Sequence, residues 1–126
     1  HHLFPENLLD DAGLPQDQIY RAMNCALISW RTNRTISDKD PVRYLEERAT
    51  NSALGKEDLI RRLQTHLIPV NSLSVGYDGL GINERKQKII SDYEAFLHAR
   101  AELLLRAVTL AGDGRSFQSA DIFVLQ

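Results

Sequence analysis

Four side chains near the amino end are of types that do chemistry together: the adjacent imidazoles of His1 and His2 and the carboxamides of Asn24 and Asn33. A neutral imidazole has a reference pKa of about 6.5, so it can take a proton from water near neutral pH. A divalent ion at a phosphate needs few protein donors, because phosphate and water oxygens fill the rest of its shell. Such an ion acts as a Lewis acid and a template. Arg31, Arg34 and Lys39 flank Asn33, and such side chains can position a phosphate backbone without reading its sequence. The chemistry these types would serve is hydrolysis of a phosphodiester.

Each feature also has a plainer reading. Two leading histidines are what an affinity tag leaves behind. An Asn before an apolar run, or inside "TNRT", is usually a turn residue. The arginines could pair with Glu6, Asp10 or Asp38 in a solvated turn. His66 reads as structural, His98 as solvated, and Cys25, inside an apolar run, as packed. Ser29, Ser37 and Ser52 lack the partners of a hydrolase triad.

Taken in order, "HHLFP", "NCALIS" and "RTNRTISDKDP" resemble the HNH, or ββα-metal, endonuclease motif. The nearer resemblance is to the carboxy-terminal HNH domain of modification-dependent restriction enzymes of the Gmr type, whose amino-terminal half is a ParB-like nucleotidase. "DPVRYLEER", "RRLQTHLIP" and "EAFLHARAELLLRA" also look like that family's tail. The resemblance implies that His2 is the general base and that His1 is a ligand of a divalent ion. It implies that Asn33 is a second, helix-borne ligand, and that Asn24 braces the loop after the base within the catalytic site. Many members carry Asp where His1 stands. An imidazole is a softer donor, which leaves magnesium, manganese, nickel or zinc open as the ion. Neighbouring residues on a strand face opposite sides, so two histidines serving one site require a twist or bulge.

Those residues must be held by the elements around them. Residues 3–20 read as irregular with one helical turn, punctuated by Pro5, Gly13 and Pro15. The apolar run 24–30 reads as a short buried strand. Asp40 and Pro41 mark a helix start, since proline at the first helical position gives up no hydrogen bond. A second helix carries Leu59, Ile60, Leu63 and Leu67 on one face and ends before Pro69. The glycine-bearing stretch 70–81 reads as a connector. The longest helix spans 83–110, capped by Asn83 and closed by Gly112. Ile89, Ile90, Tyr93, Phe96, Leu97, Leu104 and Val108 form its apolar stripe, with Arg100 and Arg106 among the polar residues of the other faces. "DIFVLQ" reads as a closing strand. The expected fold is therefore mostly α with a small β element: a ββα-metal (HNH) motif at 1–45, followed by a helical tail at 46–126 within one domain.

Bulk properties narrow the setting. The chain of 126 residues has a net charge of −2, 43% hydrophobic and 25% charged residues, an ordinary globular composition. It is not a basic nucleic-acid magnet as a whole. One cysteine excludes a disulfide framework or a multi-cysteine zinc cage and suits the cytoplasm. No run approaches the roughly 18 apolar residues of a membrane span. The chain opens inside its expected first strand, so a natural protein extending upstream is expected. The resemblance makes that upstream part the ParB-like nucleotidase domain and makes DNA the partner. The expected function is a metal-dependent DNA endonuclease domain of a restriction or phage-defence protein. The rivals are an HNH-like module that grips DNA without cutting it, and a helical self-association domain whose long helix forms an oligomer.

Overall fold

A computed structural model describes residues 1–27, 39–51, 55–73 and 75–123. After an extended start, Pro5 enters α1 (Glu6–Asp11), with Glu6 in the first turn, where a carboxylate suits the helix dipole. Gly13, at φ 92°, takes the left-handed turn that glycine adopts without penalty. Pro15 then opens α2 (Gln16–Ile19), and a 3₁₀ turn covers Ala22–Asn24. Farther on come α3 (Pro41–Asn51), α4 (Gly55–Thr65), α5 (Val70–Leu73), α6 (Ile82–Gly112) and α7 (Ser119–Phe123). The start of α3 is as expected: the Asp40 carboxylate accepts the Arg43 N–H at 2.9 Å, and Pro41 is the first helical residue.

At about 1.5 Å per residue, α6 is about 46 Å long, and it is the wall against which the rest packs. Ile89, Tyr93 and Phe96 are fully buried on it. The Phe4 ring lies 5.5 Å from Tyr93 and 5.3 Å from Phe96. Leu9, Ile19 and Leu73 complete this core. The Tyr93 hydroxyl donates to the Gln18 carbonyl at 2.7 Å, and burial pushes its pKa up to about 12. From the other side, the Tyr44 hydroxyl on α3 donates to the Leu3 carbonyl at 2.8 Å. The histidine-bearing segment is thus pinned between α3 and α6. A smaller cluster of Leu103, Ala107 and Ile122 seats α7 on the far half of α6. Among the described residues, no helix is long and apolar enough to cross a membrane.

The structure corrects the expected ββα-metal motif. The chain is mostly helical, as expected, but no strand or sheet forms among the described residues. Only an isolated antiparallel bridge joins His2 to Cys25. Its flanking bonds run from the Leu3 N–H to the Asn24 carbonyl at 2.7 Å and from the Ala26 N–H to the His1 carbonyl at 2.9 Å. The ladder stops for two reasons. The 3₁₀ turn occupies the partner side up to Asn24. On the other side, the Asn24 carboxamide takes both backbone groups of Phe4, which a longer strand would have offered to a neighbour. The expected strand at 24–30 is described only to Leu27, and the expected ligand-bearing helix around Asn33 lies outside the described residues.

Other expectations change too. The segment 3–20 holds two short helices rather than one turn. The N-cap of α6 is Gly81, with no side-chain bond, so Asn83 does not cap it. Gly112 is still helical, and the left-handed residue after it is Gly114, at φ 70°. Val108 is 67% exposed, while Arg100, Leu103 and Ala107 are buried. The buried positions on α6 fall at 89, 93, 96, 97, 100, 103 and 107 and leave Val108 outside. The closing "DIFVLQ" begins as the end of helix α7, not a strand. The Gln118 N–H donates to the Asp121 carboxylate at 2.8 Å, half of a capping box.

Candidate active site

The site is built on the backbone of His1–Pro5 and its partner across the bridge. Asn24 is fully buried, and its carboxamide works as a surrogate peptide. Its Oδ1 accepts the Phe4 N–H at 2.8 Å. Its Nδ2 donates to the carbonyls of Phe4 at 3.1 Å and Ile19 at 3.2 Å. One side chain therefore ties the segment after His2 to the end of α2. An Asp could not do this when ionised, because it has no N–H to donate.

His2 is only partly buried. Its ring meets the Tyr20 ring edge-on, with centroids 4.7 Å apart and planes at 86°. The Tyr20 hydroxyl donates to Glu6 Oε1 at 2.7 Å. The carboxylate in turn holds the phenol above its ordinary pKa, so Tyr20 stays protonated. Burial lowers the His2 pKa below 6.5; the Glu6 carboxylate opposes that shift, and the amino-terminal charge adds to it. The neutral imidazole is the form that can accept a proton. The sequence points to Glu6 only as a partner for the arginines and gives no signal for Tyr20.

The sign of the His2 shift gives a test. Desolvation favours the neutral ring, and the Glu6 charge favours the imidazolium. Glu6→Gln is expected to lower the His2 midpoint further, followed by NMR of the imidazole C–H signals; an upward move would contradict this arrangement. Because the folded value lies below the unfolded one, the unfolded chain binds more protons in that window. His2 therefore lends stability above pH 6.5 that is lost as the pH falls below it.

The expected ion ligands fare differently. The His1 ring lines a cavity of about 150 Å³ with Leu3, Tyr44, Arg48, His66 and Ile68, while His2 faces Tyr20. The two imidazoles thus meet different neighbours, as alternation along an extended chain dictates. Among the described residues, no group of three His, Cys, Asp or Glu side chains comes together as a metal site. Asn33, Arg31 and Arg34 lie outside the described residues. Lys39 pairs with Glu47 on α3.

Arg100, expected on a solvated face, is 8% exposed. Its Nη1 donates to the carbonyls of Met23 at 2.6 Å and Cys25 at 2.8 Å. The residue from mid-α6 thus reaches the peptides on either side of Asn24.

Comparison with known proteins adds one distant likeness. An uncharacterized protein of Methanocaldococcus jannaschii is 24% identical over 115 residues, covering 86% of this chain and 20% of that protein. The chain therefore spans about a fifth of that relative's length. No protein-family model matches the chain, and no solved structure matches it.

Proposed function

We propose that this chain is a metal-dependent DNA endonuclease domain in which His2 is the general base. The observation that carries the reading is the Asn24 clamp on the residues after His2, beside a partly exposed imidazole whose burial favours its neutral form. That is what a proton acceptor for an attacking water requires: a fixed backbone and an unprotonated ring. Water adds to phosphorus, its proton passes to His2, and the 3′ oxygen departs and takes a proton from solvent water. The products are a 5′ phosphate and a 3′ hydroxyl. The Glu6 carboxylate steadies the imidazolium that forms. Tyr20, bonded to Glu6, fixes where that carboxylate sits.

In this reading Asn33 would hold a divalent ion (magnesium, manganese, nickel or zinc) together with phosphate and water oxygens, and His1, which meets other neighbours than His2, would not be among its ligands. When bound, the ion would supply Lewis-acid stabilisation of the phosphate. Arg31, Arg34 and Lys39 would contact the DNA backbone. The cytoplasm is the compartment in this reading, where Cys25 stays a free thiol. The parent is a restriction or phage-defence protein with a ParB-like nucleotidase domain upstream. The relative's length beyond the matched fifth leaves room for such a domain.

The test is nicking of supercoiled plasmid with magnesium, manganese or nickel, with and without chelator. Metal-stimulated nicking supports the reading. Salt-dependent DNA binding with no nicking under any of the three metals selects a module that grips without cutting. A second reading, self-association, is favoured by one observation: Leu105 and Val108 are 68% and 67% exposed and lie three residues apart on α6, so they share a face. A mass that rises with concentration in sedimentation, with no DNA shift, would select it.

A further inference from the structure

We infer that Arg100, in the middle of the long helix, is a positioning residue for the chemistry at His2, acting through the Met23 and Cys25 carbonyls. The inference rests on the reading of His2 as general base. The 3₁₀ turn satisfies its own amides: the Asn24 N–H donates to the Arg21 carbonyl at 2.9 Å and the Cys25 N–H to the Ala22 carbonyl at 3.0 Å. The carbonyls of Met23 and Cys25 point the other way, to Arg100 Nη1 at 2.6 and 2.8 Å. Those two peptides bracket Asn24, which clamps Phe4. Cys25 is also the residue bridged to His2. One guanidinium therefore fixes the rail on which both the clamp and the base's partner are mounted.

The arrangement is costly for a residue with no other task. Arg100 is buried, its Nε has no hydrogen-bond partner, and no carboxylate forms an ion pair with it among the described residues. Burial depresses its pKa, yet a guanidinium remains charged. Replacing it with an apolar side chain of similar length removes the buried charge but leaves the Met23 and Cys25 carbonyls without their donor. Apolar packing alone thus gives no reason for an arginine here. Placement of the two carbonyls does. Lysine could reach the same carbonyls with one ammonium, as a point charge rather than a planar fork.

The experiment compares the full chain with Arg100→Met, Arg100→Lys and His2→Ala in manganese-stimulated nicking of supercoiled plasmid. Affinity for the same DNA is measured by fluorescence anisotropy. Arg100→Met is expected to lower kcat about 10- to 100-fold, the scale of a displacement of an ångström or less. Its DNA affinity should stay within about twofold, since Arg100 touches no phosphate and only orientation is lost. Arg100→Lys should recover part of kcat. Amide exchange gives a second readout: the Leu3 and Ala26 N–H groups, which flank the bridge, should exchange about tenfold faster or more in both Arg100 variants, with core amides of α6 unchanged. Were Arg100→Met to fail to fold, Arg100→Lys would carry both readouts. Wild-type kcat and exchange in the Arg100 variants, with nicking lost in His2→Ala, would overturn the positioning role alone. Full nicking by His2→Ala would overturn the reading of His2 on which it rests, and unchanged exchange at Leu3 and Ala26 would then overturn the positioning role as well.

Discussion

Asn24→Ala is expected to lower the unfolding free energy by about 3–4 kcal/mol, and nicking should disappear with it. The variant removes three hydrogen bonds in one step. The Phe4 N–H loses its acceptor inside the core, and an orphaned buried donor costs about 1–3 kcal/mol. The Phe4 carbonyl loses its donor as well. The Ile19 carbonyl is partly spared, because the Tyr93 hydroxyl also reaches it, at 3.4 Å. The cavity left by the carboxamide adds to the total. Such a loss is a large fraction of the roughly 5–15 kcal/mol that holds a domain folded. Asn24→Asp separates the donor from the acceptor. It keeps an oxygen for the Phe4 N–H but turns a second oxygen toward two carbonyls. The folded state therefore favours its protonated acid, and its pKa rises above the unfolded value of about 3.9. Its stability falls as pH rises through that window and recovers on acidification, whereas Asn24→Ala shows no such recovery. Urea unfolding at pH 5 and pH 8 distinguishes the two. Equal stability of all three proteins at both pH values would show that the clamp bears no load.

Much of the helical frame was legible because it is local. Asp40 followed by Pro41 dictates a helix start, and the Arg43 amide sits on the Asp40 carboxylate. The long helix announced itself by its period, and Ile89, Tyr93, Phe96 and Leu97 are buried as that period requires. What escaped the pattern depends on partners far along the chain. Arg100 counts as polar in any periodic reading, and only carbonyls 77 and 75 residues earlier make its burial tolerable. Val108 fell off the stripe because the buried face turns with each step. The "DIFVLQ" run is too short for periodicity to separate strand from helix. The deciding contacts there are the Asp121 cap and the Arg106 guanidinium, which donates to the Ile122 carbonyl at 2.6 Å. Within the candidate site, the sequence points to His1, His2 and Asn24. For all three, the role is what the resemblance implies, since spacing alone makes Asn24 a turn residue and the histidine pair a tag remnant. The β element was overestimated because alternation of side chains needs only one bridge here. The backbone groups that would have extended it are consumed by a side chain.

His2→Ala is expected to reduce nicking by about 10²- to 10⁴-fold, the range over which a positioned proton acceptor acts. The fold should survive. The His2 backbone makes the bridge to Cys25, and alanine keeps that backbone. The side chain is only partly buried, and its described ring contact is the edge of Tyr20. DNA affinity should change little, because a neutral imidazole contributes no charge to phosphate binding. A loss of rate without a loss of binding separates a catalytic role from a structural one. His2→Gln sharpens the point: a carboxamide fills similar space and forms hydrogen bonds, yet it cannot take up a proton at these pH values. It should be as inactive as alanine. The pH profile supplies an independent check. The wild-type rate should rise along a limb centred below pH 6.5, since burial lowers the His2 pKa and only the neutral ring accepts the proton. Glu6→Gln should move that limb to still lower pH, because removing the carboxylate withdraws what favours the imidazolium. It should also lower the plateau, since the imidazolium formed in the reaction loses its counter-charge. A limb that moved up in Glu6→Gln, or that persisted unchanged in His2→Gln, would assign the titrating base to another group.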